Sequence, residues 1–88
     1  MAWDIVYQDA VTGVLSWNSV GADTYDVGWD TVSKSGGDVN DPTLYPNRLS
    51  VGSALSWTNN TGGPVFAAVR SVLAGELGPW STEKSLSA

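Results

Sequence analysis

Apolar and polar residues alternate along this chain in short runs separated by turns rich in glycine and proline. Between residues 24 and 33, Tyr25, Val27 and Trp29 fall on one side of an extended backbone, and Asp26, Gly28 and Asp30 on the other. A period of two is that of a half-buried antiparallel strand. Residues 13–20 repeat it, with Leu15 and Trp17 alternating with Ser16 and Asn18, and Gly21-Ala22-Asp23 makes the turn between the two runs. Residues 48–58 resume the pattern with Leu49, Val51, Leu55 and Trp57, and residues 65–73 are the most apolar stretch. Shorter strands are predicted over 4–8 and 80–86. Helical periodicity is nearly absent, because Pro42, Pro46, Pro64, Pro79 and ten glycines break the chain too often for long helices. The pattern predicts an all-β protein of about seven short strands in a two-sheet antiparallel sandwich, one domain over residues 1–88.

The segments between strands differ in kind. Residues 59–64 (Asn-Asn-Thr-Gly-Gly-Pro) form a turn cluster of residues that tolerate positive φ. Residues 74–79 form another. Residues 34–47 change to Gly, Asp, Asn and Pro, a long connection with room for one short strand.

Composition narrows the function classes. At 88 residues the chain is near the lower end of what folds without covalent help. It has no cysteine, so neither disulfides nor thiolate zinc sites are available. Five tryptophans must carry much of the packing. Net charge is −5, and the four cations, Lys34, Arg48, Arg70 and Lys84, are too scattered for a basic stripe. Nucleic acid and anionic membrane surfaces are therefore not expected partners. The opening Met-Ala-Trp-Asp lacks the basic and apolar regions of an export signal. Any passage out of a cell is expected to use another route, such as a particle released by lysis.

The order of these pieces resembles a fibronectin type III domain, an immunoglobulin-like sandwich, over nearly the whole chain. Val14-Leu15-Ser16-Trp17 is similar to that family's Leu-x-Trp strand, and Thr24-Tyr25-Asp26-Val27-Gly28-Trp29 to its Tyr-x-Val-x-aromatic strand. The run from Val69 through Gly75 to Gly78-Pro79-Trp80-Ser81 is similar to its penultimate strand, hairpin and entry to the last strand. The resemblance implies a core built on Leu15, Trp17, Tyr25, Val27, Trp29 and Val69. Two positions depart from the family. Val65 stands where a tyrosine usually ties down the preceding loop, and Ala67 where an aromatic is frequent, so Trp57 or Phe66 is expected to fill the volume.

Catalytic chemistry is scarce. Without histidine or cysteine, the commonest general base and the strongest nucleophile are missing. Asp26 and Asp30 share a strand face, but a sandwich this small has no room for a cleft between two acids, and a solvated face is the expectation. No catalytic residue, metal ligand or cofactor is assigned. Asp38-Val39-Asn40-Asp41-Pro42 gathers oxygen ligands of the kind calcium uses, yet Asx turns explain the same residues. The acceptor pattern of Asn59 and Thr61 reads as a turn rather than a glycosylation site.

The surplus aromatic residues point to contact. Trp3, Tyr45, Trp57, Phe66 and Trp80 do not all fit a thin core. An outer strand face of Phe66, Ala68 and Val72, with Trp57, Trp3 and Trp80, is therefore the candidate contact surface. Coverage of the same face by residues 34–47 is the competing reading. The leading functional expectation is a non-catalytic structural or binding module. It would dock onto a repeating capsid or tail assembly in a virion, where many small contacts add up. The alternatives are an extracellular or cell-surface carbohydrate-binding or adhesion module using exposed rings, and a plain spacer or binding scaffold.

Overall fold

The computed structural model describes residues 8–88; Trp3 and most of the first expected strand lie outside them. Eight strands follow in order: β1 (Gln8–Val11), β2 (Val14–Trp17), β3 (Thr24–Asp30), β4 (Asn47–Ser50), β5 (Ser56–Thr58), β6 (Val65–Leu73), β7 (Glu76–Leu77) and β8 (Lys84–Leu86). There is no helix among the described residues. The strands form two antiparallel sheets. The smaller runs β1-β2-β5; the larger runs β4-β3-β6, with β7 and β8 sharing the far side of β6. The protein is an all-β, two-sheet sandwich.

Two hairpins show how local sequence sets the pairing. Thr12-Gly13 joins β1 to β2 with φ of 53° and 78°, and Ala74-Gly75 joins β6 to β7 with φ of 53° and 79°. Positive φ at both central residues marks the two-residue turn whose twist suits antiparallel strands, and glycine supplies the second position without cost. Each turn fixes a register, Val11 opposite Val14 and Leu73 opposite Glu76. The longest pairing, β3 with β6, runs from Thr24 opposite Val72 to Asp30 opposite Phe66.

The alternation predicted for β3 and β6 places the core. Leu15, Trp17, Tyr25, Val27, Val65, Ala67, Val69 and Leu86 are buried between the sheets. Truncating such a residue to alanine costs about 2–5 kcal/mol where the space cannot close. Trp17 packs against Tyr25 at 5.9 Å between ring centroids. The Tyr25 hydroxyl accepts from the Val20 amide at 3.0 Å, fixing the loop after β2. Trp29 sits at the margin of the core, partly buried, stacked on Trp57 at 4.9 Å. Trp57 lies in the same cluster as Val65 and Ala67. It, and not Phe66 on the opposite sheet face, supplies the aromatic volume those two positions lack.

Residues 48–58, expected to continue as one strand, are two strands in different sheets. Gly52 (φ 63°) lies in the crossing between β4 and β5. The last strand, expected over 80–86, is shortened to β8, and a short strand, β7, forms in the stretch expected as a turn. The irregular chain between them includes Pro79, which has no amide hydrogen to donate to a ladder.

Candidate functional site

The outer face of the large sheet carries the expected contact surface, and the structure covers it. Phe66, Ala68, Arg70 and Val72 do alternate with the core residues of β6, but Ala68 is fully buried and Trp80 is 3% exposed. Tyr45, Ala68 and Trp80 form a second small cluster with Leu44 against it. Residues 34–46 lie across this face as a strap. The Trp80 indole Nε1–H donates to the Asp41 carbonyl at 3.1 Å, and the Trp80 amide to the Val39 carbonyl at 2.8 Å. The Tyr45 ring meets the Trp80 ring edge to face at 5.2 Å. Ala68, Trp80 and Trp57 are thus not available as contact residues: the first two lie under the strap, and Trp57 lies in the core. Phe66 and Val72 remain half-buried.

Charges tie the strap down. Arg70 pairs with Asp26 at 3.0 Å, lies over the Trp80 ring at 4.3 Å and donates to the Pro42 carbonyl at 3.0 Å. Arg48 donates to the same carbonyl at 2.9 Å. Glu83 accepts from the Lys34 amide at 2.7 Å, from the Tyr45 hydroxyl at 3.1 Å and from the Ser33 hydroxyl. Burial raises the Tyr45 hydroxyl pKa well above its ordinary value, and the adjacent Glu83 carboxylate adds to the shift. A cleft of about 490 Å³ lies here, lined by Lys34, Val39, Leu44, Tyr45, Trp80 and Glu83. Its chief polar groups are already engaged, Glu83 as above and Lys34 with Asp30 at 3.2 Å.

The acidic residues noted in the sequence are held the same way. Asp26 and Asp30 each face a cation and do not face one another across a cleft. Burial pushes the Asp30 carboxyl pKa up, but the Lys34 ammonium and the Thr31 and Val32 amides outweigh it and leave it lowered. Asp38 accepts from the Asn40 amide at 2.9 Å. Asp41 accepts from the Thr43 amide at 2.9 Å and hydroxyl at 2.8 Å, which lower its pKa. Both are Asx turns. No group of three potential metal ligands gathers among the described residues. Asn59 is 9% exposed: its amide donates to the Gly63 and Ser87 carbonyls, and its oxygen accepts from Thr61. Its side chain, rather than a positive φ, shapes the turn; the left-handed residue is Gly62, at 91°.

With the strap in place, an open margin remains where β4 and β5 end their sheets. Trp57 of β5 stacks on Trp29 of β3, which seats β5 above β3 and leaves no strand of the small sheet, among the described residues, above β4. Leu49 stands opposite fully buried Val27, so it is on the core-facing side of β4. It is nevertheless 47% exposed, and Leu55 at the entry to β5 is 40% exposed. At the Asn47 end, Trp29, Asn47, Thr61, Gly62, Gly63 and Pro64 line a hollow of about 300 Å³. Neither leucine was singled out in the sequence as a contact residue; the change of sheet between them was the missing information.

No family model matches the chain, and no curated protein or solved structure gives a match.

Proposed function

We propose that this protein is a non-catalytic docking module of the fibronectin type III kind, acting as a virion protein that seats on a repeating capsid or tail assembly. The family reading is supported by the strand order. In a constant-type immunoglobulin sandwich the first, second and fifth strands share one sheet and the third, sixth and seventh the other. Here β1, β2 and β5 face β3, β6 and the divided pair β7 and β8. The non-catalytic reading is supported by Asp26 and Asp30, each tied to a cation, and by Asp38 and Asp41, each held in an Asx turn.

The observation that carries the docking reading is the open margin, with core-facing Leu49 on β4 and Leu55 at the entry to β5 both exposed, while Trp17, Tyr25, Tyr45, Trp57 and Trp80 are packed away. Contact through so small an apolar area is weak for one copy and becomes durable when many copies engage a lattice together. The carbohydrate reading loses support because Trp17, Tyr25, Tyr45, Trp57 and Trp80 present no free ring face to a sugar.

Mass spectrometry and electron microscopy of particles purified from the native source test the proposal. The protein is expected in fixed stoichiometry on the particle, and Leu49→Lys is expected to remove it. Recovery only as a free monomer rejects the assembly reading.

A further inference from the structure

The uncovered margin has the form of an empty strand position. The Trp17 amide donates to the Leu55 carbonyl at 3.0 Å, and the Asn59 amide to the Gly13 carbonyl at 2.8 Å. The backbone of the odd-numbered residues from 55 to 59 is therefore turned toward β2. In an antiparallel ladder the alternate residues point the other way. Ser56 and Thr58 accordingly direct their N–H and C=O groups outward from β5, where no described strand lies. Directly across the sandwich from that place is the core-facing side of β4 with exposed Leu49. The constant-type immunoglobulin sandwich, whose smaller-numbered sheet reads ABED, keeps a strand beside its fifth at this place. In this chain the corresponding segment, β4, pairs with β3 instead.

We propose that an extended segment of a partner protein adds to the outer edge of β5 as a fourth strand of the small sheet. It places apolar residues at alternate positions over Leu49 and Leu55, and one larger side chain in the hollow beside Trp29. This rests on the docking reading and names its mechanism. Strand addition gives affinity through main-chain bonds and specificity through alternate side chains. The edge beside β6 suits it less: β7 and β8 are separated by irregular chain containing Pro79, so that edge is broken, whereas the pairing of β5 with β2 runs unbroken from Leu55 to Asn59. The slot residues Asn47, Leu49, Leu55, Ser56 and Thr58 are uncharged, so apolar and main-chain contact dominates. A net charge of −5 on each chain opposes a second copy as the occupant, and favours a neutral or basic strand.

The test is an NMR titration of the chain with synthetic octapeptides bearing Val, Ile or Phe at alternate positions and Thr or Lys between. Saturable shifts are expected at the amides of Leu49, Ser56 and Thr58, with slowed exchange at Ser56 and Thr58. Leu49→Lys is expected to weaken binding at least about tenfold, or about 1.4 kcal/mol. N-methylating the peptide's pairing amides is expected to do the same without altering the protein. Leu77→Lys, on another exposed surface, is expected to bind as before. The proposal is overturned if no peptide shifts these amides at millimolar concentration, or if the shifts ignore both Leu49→Lys and N-methylation. Self-association through the same amides would assign the seat to a second copy and also overturn it. Peptide binding without particle association rejects only the virion reading; particle association with no strand binding rejects only this one.

Discussion

The Trp80 ring rests on Gly28: a β-carbon at position 28 would stand 2.8 Å from Cη2 of Trp80 and 2.8 Å from Cβ of Tyr45. The strap and the sheet approach each other there as closely as a bare backbone permits. Gly28 is the residue whose lack of a side chain makes that layer possible.

Gly28→Ala is therefore expected to destabilise the protein by about 1–3 kcal/mol, because both clashing atoms belong to packed groups. Gly63→Ala is the comparison, since a β-carbon there meets nothing within 4 Å. Chemical denaturation of both variants checks this, and equal stabilities would contradict the packing.

Glu83 gathers three donors from the strap, the Ser33 hydroxyl, the Lys34 amide and the Tyr45 hydroxyl. Glu83→Ala is expected to cost about 1–3 kcal/mol, as partly buried donors lose their acceptor. Exchange of the Trp80 amide hydrogen, which donates into the strap, should quicken by more than that of Val69 in the core. Equal acceleration at both sites would make the effect global and reject a local clasp.

Tyr45 sets an alkaline limit. Its folded pKa lies above the ordinary 10.0, so the native state holds this proton more tightly than the unfolded chain. The associated stability is whole below about pH 10 and is lost as pH rises above it. Between about pH 9 and pH 11 the urea midpoint of the unsubstituted chain is expected to fall more than that of Tyr45→Phe. Matching slopes would remove Tyr45 as the cause.

Ala74 holds φ of 53° in the turn between β6 and β7, a conformation that costs a residue with a β-carbon about 1–2 kcal/mol. Asparagine tolerates it and is favoured before glycine in this turn. Ala74→Asn is expected to raise stability by about 0.5–1 kcal/mol, a few degrees in melting temperature for a chain of this size. A lower melting temperature would mean that the side chain at this position has another task.

Much of the fold was legible in the residues, and the reason is periodicity. β6 occupies the span read from its apolar run, and β3 begins at the predicted residue. Alternation also told which side of each strand met the core. It could not tell what lay on the other side. Phe66, Ala68 and Val72 read equally as an open contact surface or as a face covered by residues 34–47, because the groups that cover Ala68, Tyr45 and Trp80, come from other segments of the chain. In the same way Leu49 and Leu55 looked like consecutive members of one strand. Their separation into different sheets depends on the crossing, where Val51 and Gly52 bond with Tyr25 across the end of β3.

The strap alters what can be changed in this molecule. Its longest connection would be the obvious place to randomise residues or splice in a peptide, as one does with the exposed loops of sandwich scaffolds. Here that stretch works as a third layer of wall, and rewriting it would strip shelter from Ala68 and Trp80. Sequence variation is better borne at single turn positions such as Asn18 and Asn60, whose side chains are exposed.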